Sequence, residues 1–196
     1  MKRSPLANRC PQCKINRKLC FCEVISPLKT STRISIIVHI SELKLTSNTA
    51  NLADLMLENA GVFVRGAMDY RFDASQVLTG IYTPLYLYPD ENSIPLDEVL
   101  VENKGPYHLI VPDGNWHQAH KVKRREKLFG DIQSVHLPKN LTSLYTLRRP
   151  PFSGALCTYE AISHALGMIE GESITQKLLD VLSVMVERTK MARRGI

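Results

Sequence analysis

An apolar run, Leu109-Ile110-Val111, stops at Pro112-Asp113-Gly114 and passes at once into a helix-like segment from Asn115. In an α/β protein such a break marks the carboxyl end of a strand, where ligands bind. It sets an ionisable Asp113 near Trp116, the sole tryptophan. A basic run follows, Lys121, Lys123, Arg124, Arg125 and Lys127, with Glu126 its one internal acid. An acid, an aromatic plate and a polycation in succession point to chemistry on a nucleic acid. The other reading is that Asp113 and Asn115 only cap a helix.

The rest of the chain fits an α/β class. Strands are expected at 33–39, 61–64, 84–88, 108–111 and 132–137, from their β-branched and apolar runs. Ser47 or Asn48 is a natural cap for a helix carrying Leu52, Leu55 and Met56. Further helices are expected at 96–101, 115–129, 158–170 and 174–192, with a short extended segment at 144–147. Alternating strands and helices favour a mostly parallel sheet with helices on both faces. No Gly-rich phosphate loop follows the first strand, which argues against a nucleoside triphosphatase or the usual dinucleotide fold.

At 196 residues the chain can hold one well-cored domain and a small appendage. Its formal charge of +6 is modest but clustered, which favours an anionic partner such as RNA. No apolar run reaches the roughly 18 residues of a membrane span, so no membrane partner is expected. Met1-Lys2-Arg3-Ser4 is not followed by an apolar region, so no secretory signal is expected and the location is taken as cytoplasmic.

In that reducing setting the cluster Cys10-x2-Cys13-x6-Cys20-x-Cys22 reads as a structural zinc site with four thiolates. Free or redox-active thiols are the alternative. Residues 1–30 are thus expected to form a cysteine-ligated segment with its linker, and 31–196 the main domain. Cys157 lies far off in sequence and is not expected as a ligand. Lys14, Arg17 and Lys18 between the ligands offer charge to phosphate.

Several stretches together resemble the DTW-domain family of tRNA-uridine aminocarboxypropyltransferases. They are the cysteine cluster, His39-x-x-Glu42 with Ser47-Asn48-Thr49, Leu87-Tyr88-Pro89, Asp113-Gly114-Asn115-Trp116, Arg148-x-x-Pro151, and Leu156-Cys157-Thr158-Tyr159-Glu160-Ala161. Asn115 replaces the family's common Thr, and Cys157 a common Ser. The resemblance implies a SPOUT-like fold with a C-terminal trefoil knot. It implies S-adenosylmethionine as donor of a 3-amino-3-carboxypropyl group to N3 of a tRNA uridine, in the variable loop. Monomer and homodimer are both left open.

On that footing Asp113 is the expected catalytic base. The donor site is expected from Leu87, Tyr88, Pro112, Gly114, Trp116, Arg148, Ser153, Gly154, Thr158 and Glu160. Arg148 or Arg149 would grip the donor carboxylate, or a tRNA phosphate instead. Glu160 would hold the donor ammonium or simply sit in the first turn of its helix. Trp116 would stack on a base or fill the core. RNA contacts are expected from His39, Asn48, Lys121, Lys123, Arg124, Arg125 and Arg149. The alternatives are an RNA methyltransferase of the same fold, or a zinc-containing RNA-binding module without catalysis.

Overall fold

The computed structural model describes residues 8–195 except 69–70, 151 and 153, and leaves the side chain of Trp116 undescribed. Alternate residues of β1 (Arg33–His39) enter two different cores: Ile34, Ile36 and Val38 face one, Ile37 the other. A strand that is apolar on both sides can only be central, and β1 lies between β2 (Ala60–Arg65) and β5 (Tyr107–Asp113). The remaining strands are β3 (Thr83–Leu87), β4 (Ile94–Pro95) and β6 (Ser134–His136). The sheet order is β2-β1-β5-β3-β6-β4, and every described pairing is parallel.

Helices cover both faces, as the alternation predicts. The larger core packs α1 (Ala50–Met56), α2 (Leu96–Glu102), α5 (Thr158–Glu170) and α6 (Glu172–Arg194) on one face. The smaller one packs Val122 of α3 (Trp116–Arg125) and Phe129 of α4 (Lys127–Gly130) against Ile37, Tyr86 and Ile110. Each fully buried side chain of this size contributes about 1.5–3 kcal/mol.

Some boundaries differ from the sequence expectation. The helix expected over 115–129 breaks at Glu126, whose backbone is extended and whose carboxylate pairs with Arg65 at 2.8 Å. The fifth strand shrinks to 134–136, and the two-residue β4 was not foreseen. Among the described residues, segment 144–147 pairs with no strand. No helix among the described residues is long and apolar enough to cross a membrane.

The cysteine segment shares the main core rather than forming its own. Ile15 and Phe21 are buried in it, and Arg188 of α6 donates to the Cys20 carbonyl and pairs with Glu23 at 2.5 Å. Residue Leu28, in the expected linker, exchanges backbone hydrogen bonds with Met56 and Glu58.

Candidate active site and metal centre

Because the strands are parallel, their carboxyl ends gather on one edge. Val38 and Asp113 are register partners there, between β1 and β5. Chain order reverses at this point, with β2 outside β1 and β3 outside β5, which is where open α/β sheets bind ligands. A cavity of about 500 Å³ opens at this place, within the usual range of small-molecule sites. Asp113 is at its floor, with Glu42, Asn48, Tyr145, Arg148 and Thr158 around it.

Asp113 is 8% exposed. Its Oδ2 accepts from Asn48 Nδ2 at 2.9 Å, and its Oδ1 accepts from the Thr158 hydroxyl. Burial pushes this carboxyl above the ordinary range. The Thr158 and Asn48 hydrogen bonds and the Arg148 charge pull it down, and the Glu42 charge adds to the rise. A carboxylate held this way is a stronger base than a surface one.

The segment Ser47-Asn48-Thr49 ties the cavity walls together. The Ser47 carbonyl accepts from the Tyr145 hydroxyl, and its Oγ accepts from Arg148 Nε at 3.1 Å. Thr49 Oγ1 accepts from the Tyr159 backbone at 3.4 Å. Helix α1 starts one or two residues later than expected, at Ala50 with Thr49 before it, yet Asn48 still supplies a capping oxygen to Asn51 N at 3.1 Å. Arg148 Nη2 pairs with Glu42 Oε2 at 2.8 Å. Burial lifts the Tyr145 hydroxyl to about 12, so it stays protonated.

Of the expected donor-site residues, Gly114, Arg148 and Thr158 meet at this cavity with Asp113, the expected base, and Asn48 and Arg149 join them from the expected RNA set. Gly114 has a steric reason to be glycine, since a Cβ there would stand 2.9 Å from Gln118 Oε1. Leu87, Tyr88, Pro112 and Gly154 are not among the described lining residues. Ser153 lies outside the described residues, as does the side chain of Trp116.

Glu160 is spent on the fold. It is 1% exposed, and its oxygens accept from Ser143 Oγ, the backbones of Leu144 and Tyr145, and Cys157 N at 2.8 Å. The last contact completes a capping box with Cys157 as the cap. Asn115 and Gln118 form a second such box at α3. His39 Nδ1 stands 3.0 Å from Gln118 Nε2 and 2.7 Å from Ser41 Oγ, so it braces that turn.

The basic run divides. Lys123 turns inward, donating to the Ile132 carbonyl at 2.8 Å and to Ser134 Oγ at 2.7 Å, over the Tyr86 ring. Arg124 and Arg125 are exposed and Lys121 is half-buried, and none of the three carries an ion pair among the described residues. Glu42, Tyr145 and His117 line the cavity but had no assigned role from sequence. Glu42 was visible in the His39-x-x-Glu42 motif. Tyr145 sits in an irregular segment where no periodicity marks a face.

The four clustered cysteines converge apart from this cavity. All four sulfurs lie within 4.8 Å of one another, with Cys10 and Cys22 at 3.6 Å and Cys13 and Cys20 at 3.7 Å. Thiolates bound to zinc at about 2.3 Å on a tetrahedron stand ~3.8 Å apart, so these residues fit one such ion. Cys157 is not part of the cluster.

Residues 7–190 match the family model of the DTW domain. The chain belongs to the DTW-domain family. It is 31% identical over 170 residues to tRNA-uridine aminocarboxypropyltransferase 2 of Drosophila melanogaster, covering 83% of this chain and 67% of that protein. It is 28% identical over 208 residues to tRNA-uridine aminocarboxypropyltransferase A of Arabidopsis thaliana, covering 90% and 79%. The Macaca fascicularis aminocarboxypropyltransferase 2 is 27% identical over 184 residues, and the match spans 61% of its length, less than two thirds.

Proposed function

We propose that this DTW-domain chain is a tRNA-uridine 3-(3-amino-3-carboxypropyl)transferase that uses S-adenosylmethionine and modifies N3 of a variable-loop uridine. The observation that carries this is Asp113, a buried carboxylate with raised basicity on the floor of a strand-end cavity, in a chain similar to enzymes of that name. S-adenosylmethionine, when bound, supplies an electrophilic carbon next to a sulfonium, with 5′-methylthioadenosine as the by-product.

The lining suits such a donor, since it holds the guanidinium groups of Arg148 and Arg149 for its carboxylate. Arg148 is the group to hold the donor carboxylate, its fork already aimed by Glu42 and Ser47. Glu160 is withdrawn as the ammonium partner, because its oxygens are occupied by the loop and the helix cap. Asp113 accepts the N3 proton of the uracil, which makes that nitrogen nucleophilic. Asn48 and Thr158 keep both its oxygens fixed while it does so. Trp116 is assigned to base stacking on its sequence position alone.

The same reading carries the SPOUT-like knot, structural zinc on Cys10, Cys13, Cys20 and Cys22, the division at residues 30 and 31, and a cytoplasmic location. The test is mass spectrometry of nucleosides from unmodified tRNA after reaction with S-adenosylmethionine. An aminocarboxypropyl-sized increment on uridine is expected, and a methyl-sized one would sink the proposal. Asp113→Ala should abolish the product while tRNA binding persists, and product formation at the parent rate would remove Asp113 as the base.

A further inference from the structure

The outer face of α3 starts at the cavity and leads away from it. His117, His120, Lys121 and Arg124 recur at i, i+3, i+4 and i+7, the spacing of one helical stripe. The opposite face carries Ala119 and Val122, both buried, with Lys123 drawn inward beside them. His117 lines the cavity, so the stripe has its origin there. It extends about 10 Å along the helix, at 1.5 Å per residue. No acid lies on it, and Glu126, the nearest, is committed to Arg65. Arg149 stands exposed at the same cavity.

Helix dipoles favour cations in a last turn, which accounts for Arg124 and Arg125 being basic. They do not require those cations to share a face with a cavity-lining residue four positions before Lys121. We propose that this stripe is the phosphate track for the RNA strand whose uridine enters the cavity, with Arg149 contacting the strand from beside the cavity. The proposal rests on the transferase reading for the identity of the RNA, and on charge and geometry for the surface. It assigns Lys121 and Arg124 to phosphate contact and excludes Lys123, which is used inside the fold.

The test measures binding of an unmodified tRNA transcript to the full chain as a function of salt. Removing one phosphate-binding cation reduces the slope of log affinity against log salt by about 0.7–0.9. Lys121→Ala with Arg124→Ala should therefore lower the slope by about 1.5 and weaken binding at least tenfold at low salt. Both sites are on the outer face of a helix, where alanine is the best helix former. Lys104→Ala is the control. It makes the same kind of charge change just before β5, at the opposite end of the sheet, and should leave the slope unaltered. If the stripe variant keeps the parent slope, or Lys104→Ala lowers it equally, the track is overturned. Binding is scored apart from transfer. A parent protein that binds through the stripe yet transfers nothing removes the transferase reading alone.

Discussion

Asn48 is bonded at both ends of its amide: Nδ2 donates to Asp113 Oδ2 at 2.9 Å, and Oδ1 accepts from Asn51 N at 3.1 Å. The amide cannot flip without losing both bonds. The start of α1 therefore fixes which atom faces the carboxylate, and a helix cap becomes a catalytic support. Asn48→Ala removes a donor that favours the ionised form, so the Asp113 carboxyl should rise further. Glu42 and Arg148 are the other charges facing it, one raising and one lowering its pKa, and both remain. A base must be ionised, so transfer should increase with pH along an acid limb above the ordinary Asp range. In Asn48→Ala that limb should move to higher pH, so the loss of rate should be greatest on the acid side of the profile. The pH profile of kcat/KM checks this, and a rate loss with an unmoved limb would reduce Asn48 to its capping role.

Legibility from sequence followed the physics of each element. Strand β1 was readable because burial on both faces makes it a continuous apolar run, and the final two helices because burial on one face imposes a helical period. The parallel class followed from alternation, but the order of strands did not, since nothing local encodes which neighbour a strand chooses. Asp113 was found because a strand end has a signature of its own. Tyr145 was not, because its contact with Ser47 joins segments 98 residues apart. The basic run looked uniform until Lys123 was drawn to the Ile132 carbonyl. Composition counts charges, while only the fold says which are available to a partner.

His108 supplies a pH dependence of stability. It is 2% exposed in β5, with Nε2 2.8 Å from Ser35 Oγ. Burial, aided by the Arg33 charge, holds its pKa down to about 4, against 6.5 for a free imidazole. Between those values the unfolded chain binds a proton that the folded one refuses. The contribution to stability is therefore complete above pH 6.5 and is lost as pH falls toward 4, amounting to about 3 kcal/mol. His108→Gln should remove this dependence. Urea unfolding of both proteins at pH 7 and pH 4.5 measures it, with the difference between them as the readout.

Close approach of α5 and α6 depends on Gly167. A Cβ built there would stand 1.8 Å from Thr175 Oγ1. That hydroxyl donates to the Ser163 carbonyl at 3.2 Å, so swinging aside costs it a buried hydrogen bond. Gly167→Ala should cost about 2 kcal/mol, the scale of overpacking a core. In a Thr175→Ala background the same change should cost less than about 1 kcal/mol. A double-mutant cycle by chemical denaturation separates this contact from a general loss of helix packing.

The cysteine cluster predicts a metal whose removal acts on the whole domain. Its four sulfurs fit one tetrahedral ion, and its neighbours Ile15 and Phe21 are part of the main core. Loss of the ion should therefore loosen the bonds of Arg188 to Cys20 and Glu23, and with them the packing on α6. Metal analysis should find one zinc per chain. Cys13→Ser should lose most of it, whereas Cys157→Ser should retain it, because Cys157 lies outside the cluster. A strong chelator should lower the melting temperature of the parent protein and leave Cys13→Ser nearly unaffected. Equal metal content in the two serine variants would show that the cluster is a set of free thiols.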